Sequence, residues 1–250
     1  MRWSSTGQAT VLQTVGQGSD SAGLINNSGW IAGGSSFVNA SGLHFDAVLW
    51  SPSGKATVLQ DAGGQRFSFG EALNSADQVA GFSRTAGGQD AVLWSSSGKA
   101  TVLQDAGGRR NSEALAINDF GWSVGYSKTA TGEDAVLWSP SGKATNLATV
   151  PGSAWKDTEA RGLNDSGDIV GSGEYKGGTY GFLLTPNGVS SWSLASVSAA
   201  PLSDPAVPEL STWVMMAVGF AGLGSLARLR RRSLTLCIGR RPALRGQSAA

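Results

Sequence analysis

The sequence predicts an all-β repeat protein: a β-propeller of about four to five four-stranded blades, followed by a linker and one C-terminal transmembrane helix. Three observations carry this expectation. The string D-A-V-L-W recurs with Asp46, Asp90 and Asp134 in first place, 44 residues apart both times. Half a period away a second module begins at Asn26, Asn74, Asn118 and Asn164, with a glycine seven residues on in each copy. The chain also holds 36 glycines in 250 residues and only 15% charged residues, which suits turns and disfavours helix interiors.

Each period contains short β-prone runs separated by turn chemistry. In the third copy the predicted strands are 113–117, 122–128, 133–139 and 143–148. Asn118-Asp119-Phe120-Gly121 makes a tight turn, because Asn and Asp bond their own backbone and Gly accepts positive φ. Pro140-Ser141-Gly142 makes the next hairpin turn. Four strands in about 44 residues is the length of one propeller blade. Such a small sheet buries its faces only by stacking, and Trp50, Trp94 and Trp138 are the expected packing residues between blades. A parallel β-solenoid is the alternative arrangement. The repeats fill residues 1–195, with a partial copy at 3–13 and a decayed one at 182–188. The chain opens within a repeat, so a secretion signal and part of a blade are expected upstream.

Charge divides the chain. Before residue 228 there are 12 basic against 18 acidic residues, a net of −6; from Arg228 onward there are seven arginines and no acid. The join is the apolar stretch 210–227, long enough to cross a thin hydrocarbon core. Trp213 suits an interfacial position, and the basic stop cluster Arg228, Arg230, Arg231 and Arg232 would remain cytoplasmic. Residues 196–208 are rich in Ser, Ala and Pro, as a linker would be. A buried C-terminal helix is the competing reading of 210–227. The tail 233–250 is basic and holds the lone Cys237, read as an ordinary thiol.

The repeat modules resemble the extracellular HAF repeat family of bacterial secreted proteins. Ala116-Ile117-Asn118 with Val124-Gly125 carries one half of that pattern, and Ala135, Leu137 and Trp138 carry the other. Asp134 stands where the family has its histidine, and Val136 where it has phenylalanine. The C-terminal segment 207–232 resembles a PEP-CTERM sorting signal, through Val207, Pro208, Glu209, Ser211, Thr212 and Trp213, with Leu210 in place of the second proline. This resemblance implies processing by an exosortase during export to the surface of a Gram-negative bacterium, often one that makes exopolysaccharide. The arginine cluster adds initial inner-membrane anchoring with a cytoplasmic C-terminus, and exopolysaccharide is the candidate partner of the outward face.

Candidate chemistry is sparse. One cysteine and one histidine exclude an internal disulfide framework and any site needing two of either. Asn164-Asp165-Ser166-Gly167-Asp168 has oxygens at spacings a calcium loop uses, but its three counterparts are poorer in carboxylates, so a structural turn is the common reading and no metal or cofactor is assigned. His44 near Asp46 lacks a defined nucleophile. Glu133 with Asp134, and Asp157 with Glu159, are the carboxylate pairs a glycosidase would need, read chiefly as solvated surface. Gly63-Gly64 and Gly107-Gly108 lack the Lys-Ser/Thr of a phosphate loop. Nucleic-acid binding would need a basic face, and the repeat region is acidic on balance. The expectation is a non-enzymatic surface protein, with Trp30, Trp122 and Trp155 as candidate sugar-stacking residues and core packing as their more ordinary role. A surface enzyme acting on glycans and a truncated relic without a stable fold are the alternatives.

Overall fold

The computed structural model describes residues 1–4, 6–16, 18–40, 42–148, 154–186 and 192–196. The linker 196–208 beyond Ser196, the sorting motif Val207–Trp213 region, the helix 210–227, the arginine cluster and the tail 233–250 lie outside the described residues. Residues 1–199 form one compact unit.

That unit is all-β. After a short hairpin of β1 (Arg2–Trp3) and β2 (Ala9–Thr10) come four antiparallel meanders of four strands each. The first is β3 (Ser19–Ile25), β4 (Ile31–Asn39), β5 (Gly42–Trp50) and β6 (Ala56–Val58). The second is β7 (Gly64–Leu73), β8 (Val79–Thr85), β9 (Gly88–Trp94) and β10 (Ala100–Val102). The third is β11 (Ser112–Ile117), β12 (Ser123–Lys128), β13 (Glu133–Trp138) and β14 (Ala144–Asn146). The fourth is β15 (Trp155–Leu163), β16 (Ile169–Tyr175), β17 (Gly178–Pro186) and β18 (Trp192–Ser196). One parallel bridge, Phe45 to Phe67, joins the first two into a continuous sheet. The strands of the third copy fall within about two residues of their predicted bounds, and its fourth is the shortest because only Ala144–Asn146 reach the ladder.

The turns form as their residues require. Asn118 Oδ1 accepts the Trp122 N–H at 3.0 Å, closing the loop, while Gly121 sits at φ 80°. In the second copy Asp77 occupies that left-handed position at φ 60°, a conformation Asp tolerates better than most residues. The Asn-to-Asp interval is 20 residues in the first copy and 16 in the next two. The four extra residues lengthen the β4–β5 hairpin, leaving Val38 at 76% and Leu43 at 58% exposure at its tip.

The core lies between consecutive sheets. Trp50, Trp94 and Trp138 are each fully buried. Trp94 packs with Leu49 and Leu59 of the preceding meander, and Trp138 with Leu93 and Leu103. Alternation explains this: in D-A-V-L-W the Val and Trp face the preceding sheet, whereas the Ala and Leu face the following one. Each indole also donates one repeat back, Trp50 to the Gln13 carbonyl, Trp94 to Gln60 and Trp138 to Gln104, all at 2.8 Å. The same glutamines accept the N–H groups of Ala56, Ala100 and Ala144 through their side-chain oxygens.

Candidate functional site: the junction faces

Two kinds of position emerge where one meander meets the next. The first kind keeps its chemistry. Ser68, Ser112 and Thr158 present a hydroxyl to the N–H of Ala47, Ala91 and Ala135 at 2.8 to 3.0 Å. Asn26, Asn74 and Asn118 each donate from Nδ2 to the carbonyl of the next asparagine. Asp46 and Asp90, both 3% exposed, accept from Arg66 and Arg110, each at 2.6 Å. Those hydrogen bonds hold the two guanidinium pKa values above their ordinary level. The third copy has no such arginine, and Asp134 takes Asn146 Nδ2 at 2.8 Å instead.

The second kind changes its chemistry at every junction. Four positions in matching register make a face beside the hairpin tips: one before the repeated Asp, two on or just before the first strand of the next meander, and a residue on that strand's partner. Between the first and second meanders these are Phe45, Phe67, Phe69 and Phe82. Their rings pack with centroids 5.1 to 5.5 Å apart for neighbours. Phe69 and Phe82 are directly paired across the strands. The Arg84 guanidinium lies over Phe67 at 3.9 Å, and Arg66 over Phe37 at 4.6 Å.

At the next junction the same positions hold Gln89, Asn111, Glu113 and Tyr126. Glu113 Oε2 accepts the Tyr126 hydroxyl at 3.0 Å and Gln89 Nε2 at 3.1 Å. Burial pushes the Glu113 carboxyl up, and the nearby charges of Glu71 and Glu159 add to it against those two hydrogen bonds. Burial also raises the Tyr126 phenol, reinforced by the Glu113 charge.

At the third junction the set becomes Glu133, Asp157, Glu159 and Ser172. With Glu174 they line an open cavity of about 320 Å³. Asp157 Oδ1 accepts the Glu133 N–H at 3.1 Å, and Arg161 pairs with Glu159 at 2.6 Å. The structure thus gathers three carboxylates that the sequence presents as two separate pairs. Asp134 is not among them.

The other candidates are placed as follows. Trp155 is 8% exposed, with its ring against Tyr175 at 5.2 Å and Phe182 at 5.7 Å. Those two aromatics cover it, and it packs in the core between the third and fourth meanders. Trp30 is half-buried against the core between the first two meanders. Trp122 is half-buried too, and lines a cavity of about 140 Å³ with the 67% exposed Phe120. In the calcium-like loop, Asn164 spends its side chain closing the turn onto Asp168, and among the described residues no cluster of three His, Cys, Asp or Glu could hold a metal. His44 stacks on Phe37 at 5.2 Å and bonds Asn39.

The phenylalanine face escapes a reading of single motifs. Its signal lies in comparing the copies: Phe67-Ser68-Phe69 aligns with Asn111-Ser112-Glu113 and Asp157-Thr158-Glu159. The middle residue is always a hydroxyl, and the flanking residues change completely. No family model and no curated protein matches the chain.

Proposed function

We propose that the chain is a non-enzymatic, exported surface protein in which a constant repeat scaffold displays a variable binding face to exopolysaccharide. On this reading the meanders are blades of a β-propeller. Support comes from their four-stranded antiparallel form and from the stacking of each on the one before. The segment 207–232 acts as a PEP-CTERM-like signal processed by an exosortase, with 210–227 anchoring the chain in the inner membrane. The −6 balance before residue 228 against the arginines after it supports that topology.

One observation carries the binding role: scaffold positions keep their hydrogen bonds from copy to copy, while the register-matched junction positions run from phenylalanine to carboxylate. Packing alone has no use for that variation, since every junction already closes through its asparagine and hydroxyl bonds and through a buried Trp94, Trp138 or Leu184. Titrating the full chain, held in mild detergent, against a panel of bacterial exopolysaccharides tests it. Saturable binding weakened by substitutions at Phe69 or Glu159 is expected, and no binding to any member refutes it. For sorting, an intact mass through Ala250 in the mature protein contradicts processing.

A second reading has its own support. Glu133, Asp157 and Glu159 share one open cavity, which supports a surface enzyme acting on glycans as the second reading. Bond cleavage abolished by Glu133→Gln or Asp157→Asn would establish it over the first.

A further inference from the structure

The Phe45–Phe67–Phe69–Phe82 face is not a requirement of the fold. The next two junctions close with Gln89, Asn111, Glu113 and Tyr126, or with Glu133, Asp157, Glu159 and Ser172, around equivalent scaffold bonds. All four phenylalanines are half-buried, so each keeps part of its ring in solvent. An apolar cluster left open on a polar surface marks a contact with something else.

Arg84 says what that something carries. Its guanidinium lies on the Phe67 ring at 3.9 Å, and its residue is exposed. Among the described residues it has no carboxylate partner, whereas Arg66 and Arg110 are committed to Asp46 and Asp90. The register equivalent of Arg84 in the next copy is Lys128, which faces Glu133 at 3.4 Å and is thereby neutralised. A guanidinium centred over an aromatic ring keeps N–H donors at its periphery. Its planar fork is shaped for a bidentate carboxylate.

We propose that Arg84 and the Phe67–Phe69–Phe82 surface form a site for uronate residues of an acidic polysaccharide. The guanidinium fork takes the sugar carboxylate, and the ring faces take the C–H face of the pyranose. This rests on the polysaccharide reading above and deepens it by naming the class of sugar. Charge complementarity selects the occupant: an unpaired cation beside an apolar platform fits a sugar that is itself anionic and has one apolar face. The carboxylate-lined third junction would repel the same sugar, so the site is local to the first.

The test uses the full chain in mild detergent with three soluble probes: polygalacturonate, neutral galactan and polyglutamate. Polygalacturonate is expected to bind best, with affinity that falls as salt rises. Arg84→Gln should weaken it about tenfold or more, Arg84→Lys should restore part of the loss, and Lys143→Gln, distant on an outer turn, should leave it unchanged. An unaltered melting temperature in Arg84→Gln separates this from unfolding. Equal binding of polygalacturonate and galactan, unaffected by Arg84→Gln, overturns the uronate site while leaving polysaccharide binding intact. Polyglutamate binding as well as polygalacturonate overturns it in favour of an acidic peptide. Binding of none of the three overturns the uronate site, and the wider panel then decides the polysaccharide reading separately.

Discussion

Asn74 donates from Nδ2 to the backbone carbonyl of Asn118 at 3.0 Å, 44 residues further along the chain. The same side chain accepts the Gln78 N–H at 2.9 Å through Oδ1. One amide therefore closes its own turn and ties that turn to the next. Asn26 and Asn118 repeat the arrangement, so the four asparagines form a ladder along one edge of the stack.

Asn118→Ala removes the bond to Asn164 and the two that Oδ1 accepts from the Phe120 and Trp122 N–H groups, at a residue that is 6% exposed. Each hydrogen bond of this kind contributes about 0.5–1.5 kcal/mol, and a buried group left unpaired costs about 1–3 kcal/mol. The expected loss is roughly 2–3 kcal/mol, read by urea denaturation. Asn118→Asp keeps the acceptor that closes the turn and loses the donor to Asn164. It should cost about 1 kcal/mol or more. An aspartate variant as stable as the parent would mean the ladder adds nothing between repeats.

The indole ladder gives a second expectation. Trp94→Phe keeps most of the ring in the core between Leu49 and Leu59 but leaves the Gln60 carbonyl without its partner. About 1–3 kcal/mol should be lost. Trp94→Ala, which also empties a fully buried volume, should cost about 3–5 kcal/mol. Because stacked repeats draw stability from the neighbours they pack against, and Trp94 packs on the first meander, amide exchange should rise in the first and second meanders together. Exchange confined to the second meander would show that the repeats unfold independently.

How far the sequence foretold these features depends on the range of the interaction. The turns were legible because their determinants are local: Asn118 and Gly121 lie three residues apart and dictate their own geometry. The burial of Trp50, Trp94 and Trp138 followed from strand alternation plus the repeat. The Asp46–Arg66 and Asp90–Arg110 pairs were not legible, since their partners sit 20 residues apart across a connection whose path only the fold sets. The packing of Trp155 was not legible for a related reason. No other copy carries a tryptophan at that register, and its neighbours Tyr175 and Phe182 arrive from two later strands. Glu133, Asp157 and Glu159 look unrelated along the chain and share a cavity only through junction register.

Asp105 should give the fold part of its acid sensitivity. Burial pushes its carboxyl up, but hydrogen bonds from the Ser127 hydroxyl and from the Arg110, Gly107 and Gly108 N–H groups outweigh it and hold the pKa below the ordinary value. A depressed carboxylate stabilises the fold above its unfolded pKa, about 3.9, and loses that contribution as pH falls through the folded value. Asp105→Asn should therefore lower the melting temperature at pH 7 and narrow its gap to the parent as the medium is acidified below about pH 4. A constant gap across that range would assign the role of Asp105 to shape rather than charge.

Glu113 should behave in the opposite sense. Its carboxyl is pushed up by burial and by Glu71 and Glu159, so the folded chain holds the proton more tightly than the unfolded one. The resulting stabilisation is complete below the unfolded pKa, about 4.3, and disappears as pH rises through the higher folded value. At neutral pH the ionised group is a net burden, relieved only in part by Tyr126 and Gln89. Glu113→Gln keeps an acceptor for the Tyr126 hydroxyl and removes the charge. It should raise the melting temperature at pH 7 and give little or no gain at about pH 4 and below. A paired comparison of Glu113→Gln and Glu71→Gln separates self-burial from repulsion, because the exposed Glu71 can act on stability only through its charge. If Glu113→Gln leaves the melting temperature unchanged at pH 7, the middle junction tolerates its carboxylate without cost, and the change from phenylalanine to glutamate at this register is free of any stability penalty.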